Sequence, residues 1–233
     1  MLLVQEHKIH TELRLESAQR SAKTAGWRTH LGLAHSTALD RASGGVGVLC
    51  RRRVGLHPHE GLVADGMQHR LQAAWLGAVM KGGLHLCSIW LFHSQGVSES
   101  NLHILAEAAA LLGTLSGPWV IAGDWNITPD MLSATGWLDV VKGRIVSPAA
   151  PTCNGSTYDV FVVSRSIAHA VLGVSRIDDG GFTPHFPTRL YLAGDARRKA
   201  VRRLVRPRRV DGELPAGPLL DPRAGRLGGR RHC

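Results

Sequence analysis

Asp124 and Asn126 stand two residues apart, just past the apolar run Trp119 to Ala122 and separated from it by Gly123. A carboxylate can take a metal ion or a water, and an amide can donate to a phosphate oxygen, although such a pair by itself reads more simply as a strand ending in an Asx turn. The run is continuous rather than alternating, as in a short strand buried on both faces. On an extended backbone, residues two apart leave from the same face. Gly123 lets another backbone come close at that point. Thr128 and Pro129 supply an N-cap and a first-turn proline, which predicts a helix from there.

Three other segments carry chemistry. Met1 to Glu6 is an apolar run ending in Gln5 and Glu6. Ser156 to Ser164 places Asp159 inside a hydrophobic strand, where an unpaired acid is costly to bury and needs a partner. Thr183 to Pro187 places His185 in a turn bracketed by prolines.

In this order the four segments resemble the endonuclease/exonuclease/phosphatase superfamily. Its pattern is L-Q-E, then G-D-x-N, then an aspartate before an apolar strand ending in Ser, then S-D-H-x-P. The match runs from about Leu2 to Leu192. The resemblance implies an α+β fold of two packed, mainly antiparallel β-sheets flanked by helices, a four-layer sandwich. It also implies a hydrolase using Mg²⁺, with Mn²⁺ as the alternative, held by Glu6 and Asp124. Asp124 would orient or deprotonate the attacking water, and Asn126 would hydrogen-bond the phosphate or the nucleophile. Asp159 would fix the tautomer of His185, whose other nitrogen faces the phosphoryl oxygen.

The sequence departs from that pattern in four places. The aspartate of S-D-H is Pro184 here, which can neither ligate nor accept through its side chain. Trp90 stands where the family often has Tyr, and His93 where an Asn follows. Family members also have an earlier strand carrying an active-site Asn, so the first strand is expected to be missing. These departures predict weaker metal binding and reduced activity.

The 233 residues suit one domain with a sizeable core plus a tail. The net charge of +10 is uneven. Residues 197 to 233 hold 12 Lys/Arg against three acids, whereas the first 196 residues hold 16 basic and 15 acidic groups. We therefore divide the chain into a domain at 1–194 and an Arg/Pro/Gly-rich tail at 195–233, its composition that of a disordered segment. Such a tail can neutralise phosphates, or be a solvated extension or a nuclear-import signal. Arg51 to Arg53 form a smaller basic cluster. No apolar run reaches the ~20 residues that span a bilayer, and no signal peptide is visible. The four cysteines are scattered without a C-x-x-C pair, as for reduced thiols in an intracellular protein, nuclear or cytoplasmic.

Periodicity places the remaining elements. Ile9 to Ala22 predicts a helix stopped by Gly26. Gly45 to Cys50 predicts a strand, and Leu71 to Val79 with Leu84 to Phe92 a hairpin turned at Lys81-Gly82-Gly83. Ser98 to Leu112 predicts a helix capped by Ser98, with Leu102, Leu105, Ala109 and Leu112 on one face. A short helix is expected at Pro129 to Ala134. Strands are expected at Trp137 to Val141, Tyr158 to Ser164, Ala168 to Ser175 and Thr188 to Leu192.

The sequence thus points to Mg²⁺-dependent phosphodiester hydrolysis by a monomer, endonuclease-like, on DNA or RNA and away from membranes. The alternatives are an inactive remnant that binds nucleic acid and a phosphatase acting on a small phosphoester. A looser resemblance links the abbreviated motifs and basic tail to endonuclease domains of retrotransposon-derived proteins.

Overall fold

A computed structural model describes residues 1–37 and 41–194, so the basic tail lies outside the described residues. In chain order the elements begin with β1 (Leu2–Val4), α1 (Glu12–Thr24), β2 (Trp27–Leu31), β3 (His35–Ser36) and β4 (Ala42–Ser43). Next come β5 (Gly47–Arg51), β6 (Leu56–Pro58), β7 (Leu71–Leu76), β8 (Leu84–Trp90), α2 (Glu99–Thr114) and β9 (Trp119–Asp124). The rest are α3 (Pro129–Ala134), α4 (Trp137–Val140), β10 (Gly143–Val146), β11 (Asp159–Ser164), a 3-10 turn at Arg165–Ala170, β12 (Val171–Arg176) and β13 (Thr188–Leu192).

The apolar run at Trp119 becomes the middle of a six-stranded sheet, ordered β10-β11-β9-β8-β7-β6. All its pairs are antiparallel except β8 with β9, which run parallel and are joined through α2. Parallel neighbours need such a crossover. A three-stranded antiparallel sheet, β1-β5-β2, packs against it. The β12–β13 hairpin and the two-residue β3–β4 ladder complete the strands.

Side-chain alternation along the central strands builds two cores. Ala74, Leu76, Leu84, Leu86, Val120 and Val163 face inward and meet Val48 and Cys50 of β5, with Leu3, Leu190 and Leu192 alongside. Ala73, Cys87, Ile89, Ile121 and Val162 face the opposite way, onto Ile104, Leu105, Ala108 and Leu111 of α2, Leu132 of α3 and Trp137 of α4. The helix α1 packs on β2 and buries only Leu15. The layers are therefore helices, sheet, sheet and helix, the four-layer α+β arrangement expected from sequence.

Several boundaries differ for physical reasons. The first helix begins at Glu12, because the Thr11 side chain accepts from Arg14 N and caps it. Ile9 stays outside, its carbonyl taken by Ala34 N. On α2, Leu102 is solvent-exposed and the buried stripe runs through Ile104, Leu105, Ala108, Leu111 and Leu112. Asn101 joins that stripe: its side chain bonds Phe92 N, Phe92 O and Gly96 O, pinning the loop after β8. Trp137 to Val141 is not a strand but the short helix α4. Gly136 enters it in the left-handed region at φ 73°, and the Trp137 indole reaches back to donate to Leu105 O. A run of four or five residues is too short for periodicity to separate the two conformations. Ala168 likewise falls in the 3-10 turn, and β12 starts three residues later. The helix at Pro129–Ala134 and the strand at Thr188–Leu192 lie where the sequence placed them.

Candidate active site

Asp124 ends β9 and Asp159 opens β11, and the antiparallel register sets them directly opposite one another. Two like charges in facing positions repel, so something must hold them. Trp90, at the end of β8, donates its indole Nε1–H to Asp124 Oδ2 at 3.2 Å. Asn126 donates Nδ2–H to the same oxygen at 2.8 Å and its backbone N–H to Oδ1 at 3.2 Å. The turn differs from the extended backbone assumed from sequence. Asn126 adopts φ 50°, and it is this left-handed turn that folds the amide back onto the carboxylate.

The remaining Asn126 bonds assign its neighbours. Nδ2 also donates to Leu91 O at 3.0 Å, so both amide protons are used. Asn126 thus turns both amide protons inward, one onto Asp124 and one onto the chain after β8. Its Oδ1 can only accept, so His93 Nδ1, 3.0 Å away, carries the proton and leaves Nε2 free.

His185 Nδ1 donates to Asp159 Oδ2 at 2.9 Å, and its Nε2 lies 4.0 Å from Asp124 Oδ2. The buried Thr152 organises this pair. Its hydroxyl accepts from both Tyr158 N and Asp159 N, and its carbonyl accepts from Phe186 N. No sequence motif marks Thr152. Glu6 follows β1, makes a 3.7 Å ion pair with Lys8, and lines the same groove as Asp124, Asp159 and His185. That groove encloses about 650 Å³ between the two sheets and has an apolar floor that includes Leu84, Leu86 and Val120. Asn126 lies behind it rather than on its wall.

The electrostatics follow from burial. Burial is the largest influence on Asp124 and raises its pKa from 3.8 to about 6, with Asp159 adding to the rise and His185 opposing it. The hydrogen bond to Asp159 raises His185 against the opposing effect of its own burial. Asp124 therefore gains its charge nearer neutrality than an ordinary carboxyl, and the contact with Asp159 favours the protonated form of His185. If Asp124 acts as base and His185 as donor, kcat/KM rises as pH passes about 6 and falls once His185 deprotonates. A bound cation favours the carboxylate and moves the acid limb lower. A pH–rate profile flat between pH 5 and 7 at the lowest usable metal concentration removes Asp124 from that role.

One ligand atom each from Asp124, Asp159 and His185 lies within 4.8 Å of the others. The two carboxylates suit a hard divalent cation; Glu6 lines the same groove but is not one of this cluster.

This arrangement of layers is the fold of several solved nucleases, each less than one fifth identical to this chain. An AP endonuclease from Archaeoglobus fulgidus aligns with TM-score 0.62 at 13% identity, covering 82% of this chain and 88% of that one. A 3'-5' exonuclease (NExo) from Neisseria meningitidis aligns with TM-score 0.58 at 19% identity, covering 82% and 88%. The endonuclease domain of TRAS1, a telomere-specific non-LTR retrotransposon, aligns with TM-score 0.56 at 11% identity, covering 82% and 98%. No protein-family model and no curated protein matches the sequence. No helix among the described residues is long and apolar enough to cross a membrane.

Proposed function

We propose that this chain is a divalent-metal-dependent phosphodiesterase that cuts nucleic acid, with Mg²⁺ or Mn²⁺ held by Glu6 and Asp124. The observation that carries the reading is the convergence of Asp124 with the Asp159–His185 pair at one end of the groove. A divalent cation bound there would neutralise charge on the phosphate and on the leaving oxygen. Asp124 takes the proton of the attacking water. His185, held protonated by Asp159, donates from Nε2 to a phosphoryl oxygen as charge develops on it. Asn126 and Trp90 keep the Asp124 carboxylate aimed while this happens. Nucleic acid is favoured as substrate because the neighbouring folds belong to an AP endonuclease, a retrotransposon endonuclease and an exonuclease. The Arg-rich residues 197 to 233 supply sequence-independent attraction to phosphates.

Two further readings have specific support. Pro184, where a metal-site aspartate is expected, favours a protein that binds nucleic acid without cutting it. A neighbouring NExo structure described as a 3' phosphatase bound to a product DNA hairpin favours release of a terminal phosphate. Incubation with supercoiled plasmid, with and without Mg²⁺ or Mn²⁺, separates the three. Nicking that requires the metal supports the proposal. Retarded but uncut plasmid supports binding alone, and phosphate release from a 3'-phosphorylated oligonucleotide with intact plasmid supports the phosphatase.

A further inference from the structure

We propose that Arg70 is a positioning residue that holds the Trp90 indole on the Asp124 carboxylate. Arg70 immediately precedes β7 and is 2% exposed. Its guanidinium carbon lies 3.9 Å from the centroid of Trp90 and 3.6 Å from that of Phe92, so the cation is stacked on both rings. Its Nε and Nη1 are buried with no hydrogen-bond partner among the described residues. Burial pulls its pKa down to about 10, and the charge of Glu6 works against that fall.

A buried cation with unpaired N–H groups is an expensive side chain to keep. The two aromatic faces offset part of the cost. An apolar chain of similar length would fill the slot more cheaply, but it would lack two things the guanidinium provides. The planar cation fixes the tilt of the ring it stacks on. It also draws electron density from the indole face, which makes Nε1–H a stronger donor to Asp124 Oδ2. The backbone reinforces the contact, since Trp90 N donates to Arg70 O at 2.9 Å. Gly44 closes over the ring edge: a Cβ there would sit 3.0 Å from the six-membered ring of Trp90 and 2.7 Å from the His69 carbonyl oxygen. The indole is thus gripped from several sides, with its one polar atom on the candidate base.

The contribution to turnover rests on the hydrolytic reading above; the grip on Trp90 does not. The test uses the full chain with Arg70→Met and Arg70→Lys. Solvent exchange of the Trp90 indole proton is followed by ¹⁵N NMR, with the resonance assigned through Trp90→Phe. Thermal unfolding and nicking kinetics are measured alongside. In Arg70→Met the indole proton exchanges at least about 10-fold faster, and kcat falls about 10-fold with KM within about twofold. The unfolding midpoint holds or rises, because an unsatisfied cation has been replaced by an apolar chain. Arg70→Lys recovers part of the loss. Unchanged indole exchange in Arg70→Met overturns the proposal, and so does a fall in kcat that only tracks loss of folded protein. Should the wild type nick no plasmid, the hydrolytic reading fails and the exchange result alone decides the role of Arg70.

Discussion

Asp124→Asn lowers metal-dependent nicking by about 10²–10⁴-fold, the range typical for loss of a positioned proton acceptor, and leaves the protein folded. Its effect on stability depends on pH. Burial raises the Asp124 pKa from 3.8 to about 6, so the folded state binds the proton more tightly than the unfolded chain does. The resulting stabilisation is complete below the unfolded pKa and is lost as pH rises through about 6. At pH 7 the wild type therefore carries a penalty for the buried carboxylate that the neutral amide does not. The amide also sets an NH2 against one of the donors that Asp124 accepts, a cost that does not vary with pH, so the variant is expected to gain stability relative to the wild type between pH 4 and pH 7. Urea unfolding at both pH values, set beside the nicking rate, checks this. Retained nicking with an altered midpoint would show Asp124 to be a structural acid only.

Gly123→Ala should be the most damaging small substitution in the domain. Gly123 pairs with Ile89 in the parallel β8–β9 register, and a Cβ on it would lie 1.7 Å from the Ile89 carbonyl oxygen and 2.7 Å from its carbonyl carbon. Backbone cannot yield as a side-chain tip can, so the two strands must part where both cores meet. The expected cost is at least about 2–3 kcal/mol, the upper range for overpacking, and the variant is expected to lose activity because Asp124 is the next residue. A denaturation midpoint within experimental error of the wild type would show that the ladder opens there without cost.

How much of this was legible beforehand depended on the range of the interaction. The caps at Thr128 and Ser98 and the glycine turn at Gly82-Gly83 act over a few residues, and their sequence signals matched the structure. Trp137 misled because four residues carry too little periodicity, while the contact that decides its conformation, to Leu105 O, lies 32 residues away. Leu102 misled because a helix face can be read from spacing, but which of two adjacent stripes meets the sheet depends on packing. At the site, the types and order of Glu6, Asp124, Asp159 and His185 could be read from the chain. The spent amide of Asn126, the bracing hydroxyl of Thr152 and the stacked cation of Arg70 could not, since each depends on a partner distant in sequence.

Residue order alone thus determined which candidate groups for phosphate-ester chemistry this chain carries and the strand-rich plan that holds them, because motifs and alternation are local properties of the polypeptide. The tertiary structure decided how that chemistry is aimed. The register β9 to β11 faces Asp124 with Asp159, and burial between the layers moves the Asp124 proton toward neutral pH. Both are consequences of strands far apart in the chain being packed edge to edge, where side chains lose water and find partners that spacing cannot reveal.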